Sequence, residues 1–163
     1  LVLQLEKQYP ADIGVISAFF FNYVRLNPGE ALYLGPNEPH AYLNGECIEC
    51  MASSDNVRLA GLTPKHRDVP TLCFMLTIFN ISFPQILKGF PLSPYITRYL
   101  PPFDEFEIDS CILLQGASTV FPAIPGSSRD VLVVPANTEI SLTTASKLQL
   151  YRAGVSSMFF QIL

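Results

Sequence analysis

The sequence predicts a mainly β protein, an antiparallel barrel or sandwich. Three observations carry that reading. Short runs of β-branched and aromatic residues recur at close spacing. Fourteen prolines and nine glycines punctuate them, with no low-complexity tract. Apolar residues make up 49% and charged residues 15% of the 163, which suits a packed core and excludes a disordered chain. The length matches one domain of roughly 100–150 residues. Ten basic against fourteen acidic residues leave a net charge of −4. With no basic block, this excludes a protein that tracks nucleic-acid phosphates.

The elements follow in order. Leu1 to Gln8 predicts the end of a helix, apolar at 1, 2 and 5, and Pro10 breaks it. The Leu1 start, without Met or a signal-peptide pattern, reads as a segment of something longer. Ile13 to Leu26 predicts a strand rich in Val, Ile, Phe and Tyr. Asn27-Pro28-Gly29-Glu30 predicts a turn, because Pro fixes φ and Gly accepts a positive one. Ala31 to Leu34 predicts a short strand, and Gly35 to Pro39 another turn. Further short strands are predicted over His40–Tyr42, Glu46–Ala52 and Val57–Ala60.

Val69 to Leu87 carries no charge until Lys88, so it needs a membrane check. Pro70, Pro84, Asn80 and Ser82 interrupt it. Asp68 before Pro70 instead predicts a capped helix at about 70–79, buried against a sheet. Asn80 to Asp104 predicts an extended, irregular, proline-rich connection. Strands return at 106–108, 111–114, 118–121, 131–134, 139–142, 148–152 and 159–162.

Cys47, Cys50, Cys73 and Cys111 are too sparse for a disulfide framework, so buried structural thiols in a reducing cytosol are expected. The Cys47-Ile48-Glu49-Cys50 spacing sits among strand-like residues. A strand would turn the two thiols to opposite faces.

Only His40 and His66 offer imidazoles. His40 follows Pro39 at a strand start, a rigid position that suits a metal ligand, or a histidine bonded to backbone. Glu38, Glu46, Glu49 and Asp55 offer carboxylates. On a strand, Glu49 would share an inward face with Cys47 and Met51, as a general base or a buried ion-pair partner. Arg58, Lys65 and Arg67 form a basic group that suits either a phosphate or a solvated loop.

The runs Asn27 to Leu34, Asn37-Glu38-Pro39-His40-Ala41-Tyr42-Leu43, Gly45 to Ala52, Ser54-Asp55-Asn56 and Ala60-Gly61-Leu62-Thr63-Pro64-Lys65 resemble type I mannose-6-phosphate isomerase. Tyr95 to Phe106 and Leu150 to Val155 look most like plant members. The resemblance covers nearly the whole chain but only the C-terminal portion of the family's architecture. It implies a cupin-like, jelly-roll fold divided three ways. Residues 1–68 would be part of a central cupin barrel, 69–103 a helix and Pro-rich connection, and 104–163 a shortened C-terminal cupin.

The resemblance also implies a zinc-dependent cytoplasmic enzyme. It would interconvert mannose 6-phosphate and fructose 6-phosphate by moving a proton through an enediol. His40 matches a zinc ligand. Glu49, Asp55 and Lys65 match positions lining the active site. The implied substrate is a sugar phosphate, and no nucleic-acid or membrane partner is expected.

Three departures stand out. The family's other zinc ligands, a Gln-x-His pair and a Glu, lie upstream. The catalytic Arg of Val-Arg-Ala-Gly falls on Leu59 here, with Arg58 one residue early. Pro125 to Asp130 runs straight into Val131, where the family has a further strand pair. The chain alone is therefore expected to be inactive. The alternative is a truncated, catalytically dead cupin that binds another subunit.

Overall fold

The computed structural model describes residues 1–54, 57–76, 83–121 and 139–156. It is mainly β, with antiparallel sheets and a few short helices, as the sequence predicts. Among the described residues the sheets stay open and no barrel closes. The chain divides into two compact units. One comprises Leu1–Asn27, Leu34–Glu46 and Ser53–Gln85; the other comprises Pro28–Tyr33, Cys47–Ala52 and Ile86–Leu163.

The first unit holds the helices. Helix α1 spans Val2–Gln8 and buries Leu5, in line with its apolar spacing. Pro10 follows, and the Tyr9 amide closes the last turn onto the Leu5 carbonyl. The strand expected over 13–26 is a correction: Ile13–Phe19 forms a 3-10 helix. Asp12 caps it, accepting the Gly14 amide at 2.7 Å. That local carboxylate starts a turn before any strand partner can recruit the segment.

Helix α2 spans Val69–Met75. Asp68 caps it, accepting the Thr71 amide at 3.2 Å and the Thr71 hydroxyl at 2.6 Å, and Pro70 sits in its first turn. The start is as predicted, but the burial is not. No α2 residue is buried, and Phe74 is 92% exposed. Residues 77–79 of the predicted helix lie outside the described residues. Among the described residues no helix is long and apolar enough to cross a membrane.

Strands predicted over 40–42, 46–52 and 57–60 are absent among the described residues there, and this backbone runs without sheet pairing. Propensity marks these residues as fit for a pleat, but a pleat needs a hydrogen-bonded neighbour.

The second unit holds the sheets. Strand β1 (Ala31–Leu32) pairs antiparallel with β2 (Ile86–Leu87). The turn before it is as predicted, with Gly29 at φ 87. Strands β3 (Phe90–Pro91), β4 (Ile96–Tyr99), β5 (Glu107–Leu113) and β8 (Leu148–Gly154) form a four-stranded antiparallel sheet in the order β3-β4-β5-β8. Strands β6 (Ser118–Phe121) and β7 (Ile140–Thr143) pair separately. The connection predicted as irregular thus contributes β2, β3 and β4. The two runs predicted at 106–108 and 111–114 are one strand, β5. The strands predicted at 131–134 and 159–162 lie outside the described residues.

On β5 the alternation is sharp: Glu107, Asp109, Cys111 and Leu113 share one buried face. One end of that face is apolar. There Ile96, Cys111, Leu113 and Phe121 form the core, with Ile140, Leu142, Leu148 and Leu150 packed against it. Burial pushes the Cys111 thiol pKa up. The other end is charged. Register sets Arg98, Asp109 and Arg152 side by side across three strands. Arg98 grips Asp109 with two bonds of 2.7 and 3.0 Å and reaches Glu107 at 2.7 Å. Arg152 donates to Asp109 from the other side, its guanidinium 4.4 Å from the Phe121 ring centroid. The hydrogen bond to Asp109 is the main cause of a raised Arg98 pKa.

Asp109 has no solvent exposure and Arg98 is 14% exposed, so the pair is poorly screened. Removing the carboxylate takes away the anion that Arg98 and Arg152 share and leaves Glu107 facing Arg98. Asp109→Ala is expected to cost about 3–5 kcal/mol in denaturant unfolding monitored on the sheet. A change under about 1 kcal/mol would contradict the account.

Candidate functional site

The site residues predicted from sequence lie on irregular backbone, held by local side-chain bonds. Glu38 accepts the Gly35 amide at 3.1 Å, and Asn37 takes a positive φ of 61, closing the predicted turn. His40 follows. It is exposed, not projected into a barrel as expected. Its Nδ1 donates to the Glu38 carbonyl at 2.9 Å. A carbonyl only accepts, so Nδ1 carries a proton, and in the neutral ring the lone pair is then on Nε2. The His40 ring meets Tyr42 edge-on, with centroids 5.6 Å apart. Backbone bonding at one nitrogen is the usual arrangement for an imidazole that ligates a metal through the other.

Glu49 is exposed, as are Cys47 and Met51; this corrects the inward face expected for them. The cause is the missing strand, without which the two-residue alternation has no sheet to refer to. Of the thiols expected to be buried, only Cys111 is; Cys73 is exposed and Cys50 half-buried. Asp55 lies outside the described residues. Arg58 is exposed and Leu59 half-buried. Asp68, whose pKa is lowered first by its hydrogen bonds with Thr71, also feels the charges of Arg58 and His66.

A groove of about 510 Å³ in the first unit is lined by Ile13, Ala60, Pro64, Lys65, His66, Arg67 and Val69. Of the predicted site residues, Lys65 lines it. Its loop is held by Asp12, whose Oδ1 accepts Arg67 Nη1 at 3.1 Å as well as the Gly14 amide. Lys65 donates its own amide to Thr63 Oγ1 at 3.2 Å. The loop also touches the start of the 3-10 helix. A Cβ built on Gly61 would fall 2.9 Å from the Gly14 Cα, and one on Gly14 2.9 Å from the Leu62 nitrogen. Two backbones meet there because neither residue has a side chain. Asp12, Gly14 and Gly61 were missed in the sequence reading. The Asp-x-Gly cap was a legible local signal, but the contact across some fifty residues had none.

Among the described residues, no three His, Cys, Asp or Glu side chains are gathered to hold a metal ion. A catalytic zinc needs three protein ligands and an open position. The described residues therefore do not make a zinc site by themselves; His40 is a single suitable donor.

No protein-family model matches the chain. Curated proteins do. Mannose-6-phosphate isomerase 2 of Arabidopsis thaliana is 63% identical over 186 aligned positions, which take in 100% of this chain. Mannose-6-phosphate isomerase 1 of the same plant is 61% identical and takes in 98%. Mannose-6-phosphate isomerase of Macaca fascicularis is 43% identical and takes in 95%. This chain belongs to the mannose-6-phosphate isomerase family. It spans about two fifths of the length of these relatives, 42% of the plant isomerases and 38% of the macaque one. The alignment to isomerase 2 has 186 positions against 163 residues here, a surplus of 23 that lacks a counterpart in this chain. The macaque alignment, 160 positions long, shows no such surplus.

The exposure of His40 and Glu49 yields a prediction. His40→Ala and Glu49→Ala, made in this chain, are expected to shift its unfolding free energy by less than about 0.5 kcal/mol in denaturant titration. A loss above about 2 kcal/mol would mark either one as a structural residue.

Proposed function

We propose that this chain is the C-terminal portion of a mannose-6-phosphate isomerase, and that it supplies part of that enzyme's active site. The whole enzyme would interconvert mannose 6-phosphate and fructose 6-phosphate with zinc, in the cytoplasm. The observation that carries this reading is the 63% identity along the full chain to an isomerase more than twice as long. His40 would give one zinc ligand through Nε2, with the Glu38 carbonyl fixing the tautomer. Lys65, in a groove with His66 and Arg67, would face the anionic substrate. Glu49 and Asp55 would contribute carboxylates. Arg58 would be the nearest substitute for the arginine expected at Leu59.

The three-part division, 1–68, 69–103 and 104–163, remains our proposal for the domains. The 23-position surplus makes this chain shorter than isomerase 2 over the aligned region, and we propose that the shortening falls in the C-terminal cupin.

Activity by the chain alone is not part of the proposal. One zinc donor and a leucine in place of an arginine argue against it. So does the first unit's surface, where Leu3, Ile13, Phe19, Phe20 and Tyr23 are each more than two thirds exposed. Apolar area of that extent favours association. The second reading, a catalytically dead cupin that binds another subunit, draws on the same surface.

The isolated chain is expected to show no turnover in a coupled mannose-6-phosphate isomerase assay. It is also expected to carry far less than one zinc per chain by metal analysis, and to elute as large assemblies. Stoichiometric zinc with turnover from a monodisperse monomer would contradict the proposal.

A further inference from the structure

Asp12 begins as a helix cap, but capping uses only one of the bonds it makes. Its carboxylate accepts the Gly14 amide at 2.7 Å and Arg67 Nη1 at 3.1 Å. The backbone amides of Leu62 and Thr63 lie near enough to help hold its carboxyl below the usual range. The anchors therefore lie on both sides of the loop: Leu62 and Thr63 before Pro64-Lys65-His66, Arg67 after it. Leu62 holds a positive φ of 53, a conformation that a leucine keeps only under outside constraint. The carboxylate lies within the contact of Gly14 with Gly61, its Oδ1 3.2 Å from where a Gly61 Cβ would stand. The side chain is 9% exposed, so water screens these bonds little.

We propose that Asp12 is the positioning residue for the loop that carries Lys65, gripping it at both ends through one shielded negative charge. A neutral amide in its place keeps an acceptor oxygen but loses the attraction for Arg67 and half of the accepting capacity. Three amides and a guanidinium then compete for one oxygen. The role of Lys65 toward a sugar phosphate rests on the isomerase reading above; the clamp itself does not.

The charge gives the clamp a pH signature. The Gly14 amide is the first cause of a lowered Asp12 pKa, desolvation opposes it, and Leu62, Arg67 and Thr63 add to the lowering. A carboxylate depressed in the folded state stabilises that state fully above its ordinary value, here 3.8. The contribution fades as pH falls from there through the depressed value. Lys65, His66 and Arg67 are the basic side chains of the loop, and protonating Asp12 removes the negative charge paired with Arg67.

Amide hydrogen exchange in this chain tests the clamp directly. Protection at Leu62 and Thr63 should hold down to about pH 4 in the unsubstituted chain and fall below it. Asp12→Asn should lower that protection on the order of tenfold at neutral pH and abolish the pH step. Amides of β5 report whether the variant still folds. If they too lose protection, the pH series of the unsubstituted chain decides. Unchanged protection at Leu62 and Thr63, or no step on acidification, overturns the clamp.

The second arm joins the chain to the rest of Arabidopsis isomerase 2. There Asp12→Asn should lower kcat/KM on the order of tenfold with zinc content unchanged. Unaltered kcat/KM despite a loosened loop overturns the positioning role. A parent fusion without turnover overturns the isomerase reading, while exchange still decides the clamp.

Discussion

The Asp109 carboxylate is buried in a β-sheet, and the strands on either side of it each bring an arginine to meet it. This contact fixes the second unit. A shift of one residue in β4 or β8 would turn its arginine to the opposite face and take away one of the two cations that meet the buried carboxylate. The register of the four-stranded sheet is therefore tied to a charge, and apolar packing follows from it. Once Arg98, Asp109 and Arg152 align, Ile96, Cys111 and Leu150 must align two residues along, on the same face. Phe121 then serves both ends, closing the core and stacking beneath the Arg152 guanidinium.

The first unit is organised around a second shielded carboxylate, Asp12, but it lacks a core of comparable size. Leu5 and Val15 are its buried apolar side chains among the described residues. Its long aromatic run faces outward instead. A backbone without strands over 34–46 and an exposed aromatic surface fit a polypeptide whose relatives are more than twice as long. On this account the same deficit separates fold from function. His40, Lys65 and Arg58 sit on segments that have local order but lack the sheet that would aim them together.

The sequence was most legible where structure is decided locally. Asp68 with Pro70 announced α2, Pro28-Gly29 announced its turn, and the apolar runs at 118–121 and 148–152 announced two strands. It misled where a long-range partner decides. Ile13 to Leu26 has strand composition, yet no strand pairs with it among the described residues, and the Asp12 cap starts a 3-10 helix over Ile13–Phe19. The prolines at 91, 94, 101 and 102 suggested an irregular connection, yet Ile96 to Tyr99 forms a strand because Ile108 to Cys111 lies opposite to pair with it. The site divides in the same way. His40 and Lys65 were named from their motifs, whereas Asp12 was not singled out, because its bond to Arg67 spans 55 residues of sequence. Glu49 was placed inward by an alternation that needed a neighbouring strand.

The central claim is that this chain carries one zinc ligand of an isomerase and depends on the rest of that enzyme for the others. Metal analysis of the chain fused to the remainder of Arabidopsis isomerase 2, with and without His40→Ala, addresses it most directly. The account predicts about one zinc per fused chain, lost to well under half in the variant together with turnover. Full zinc and full turnover in the His40→Ala fusion would contradict it.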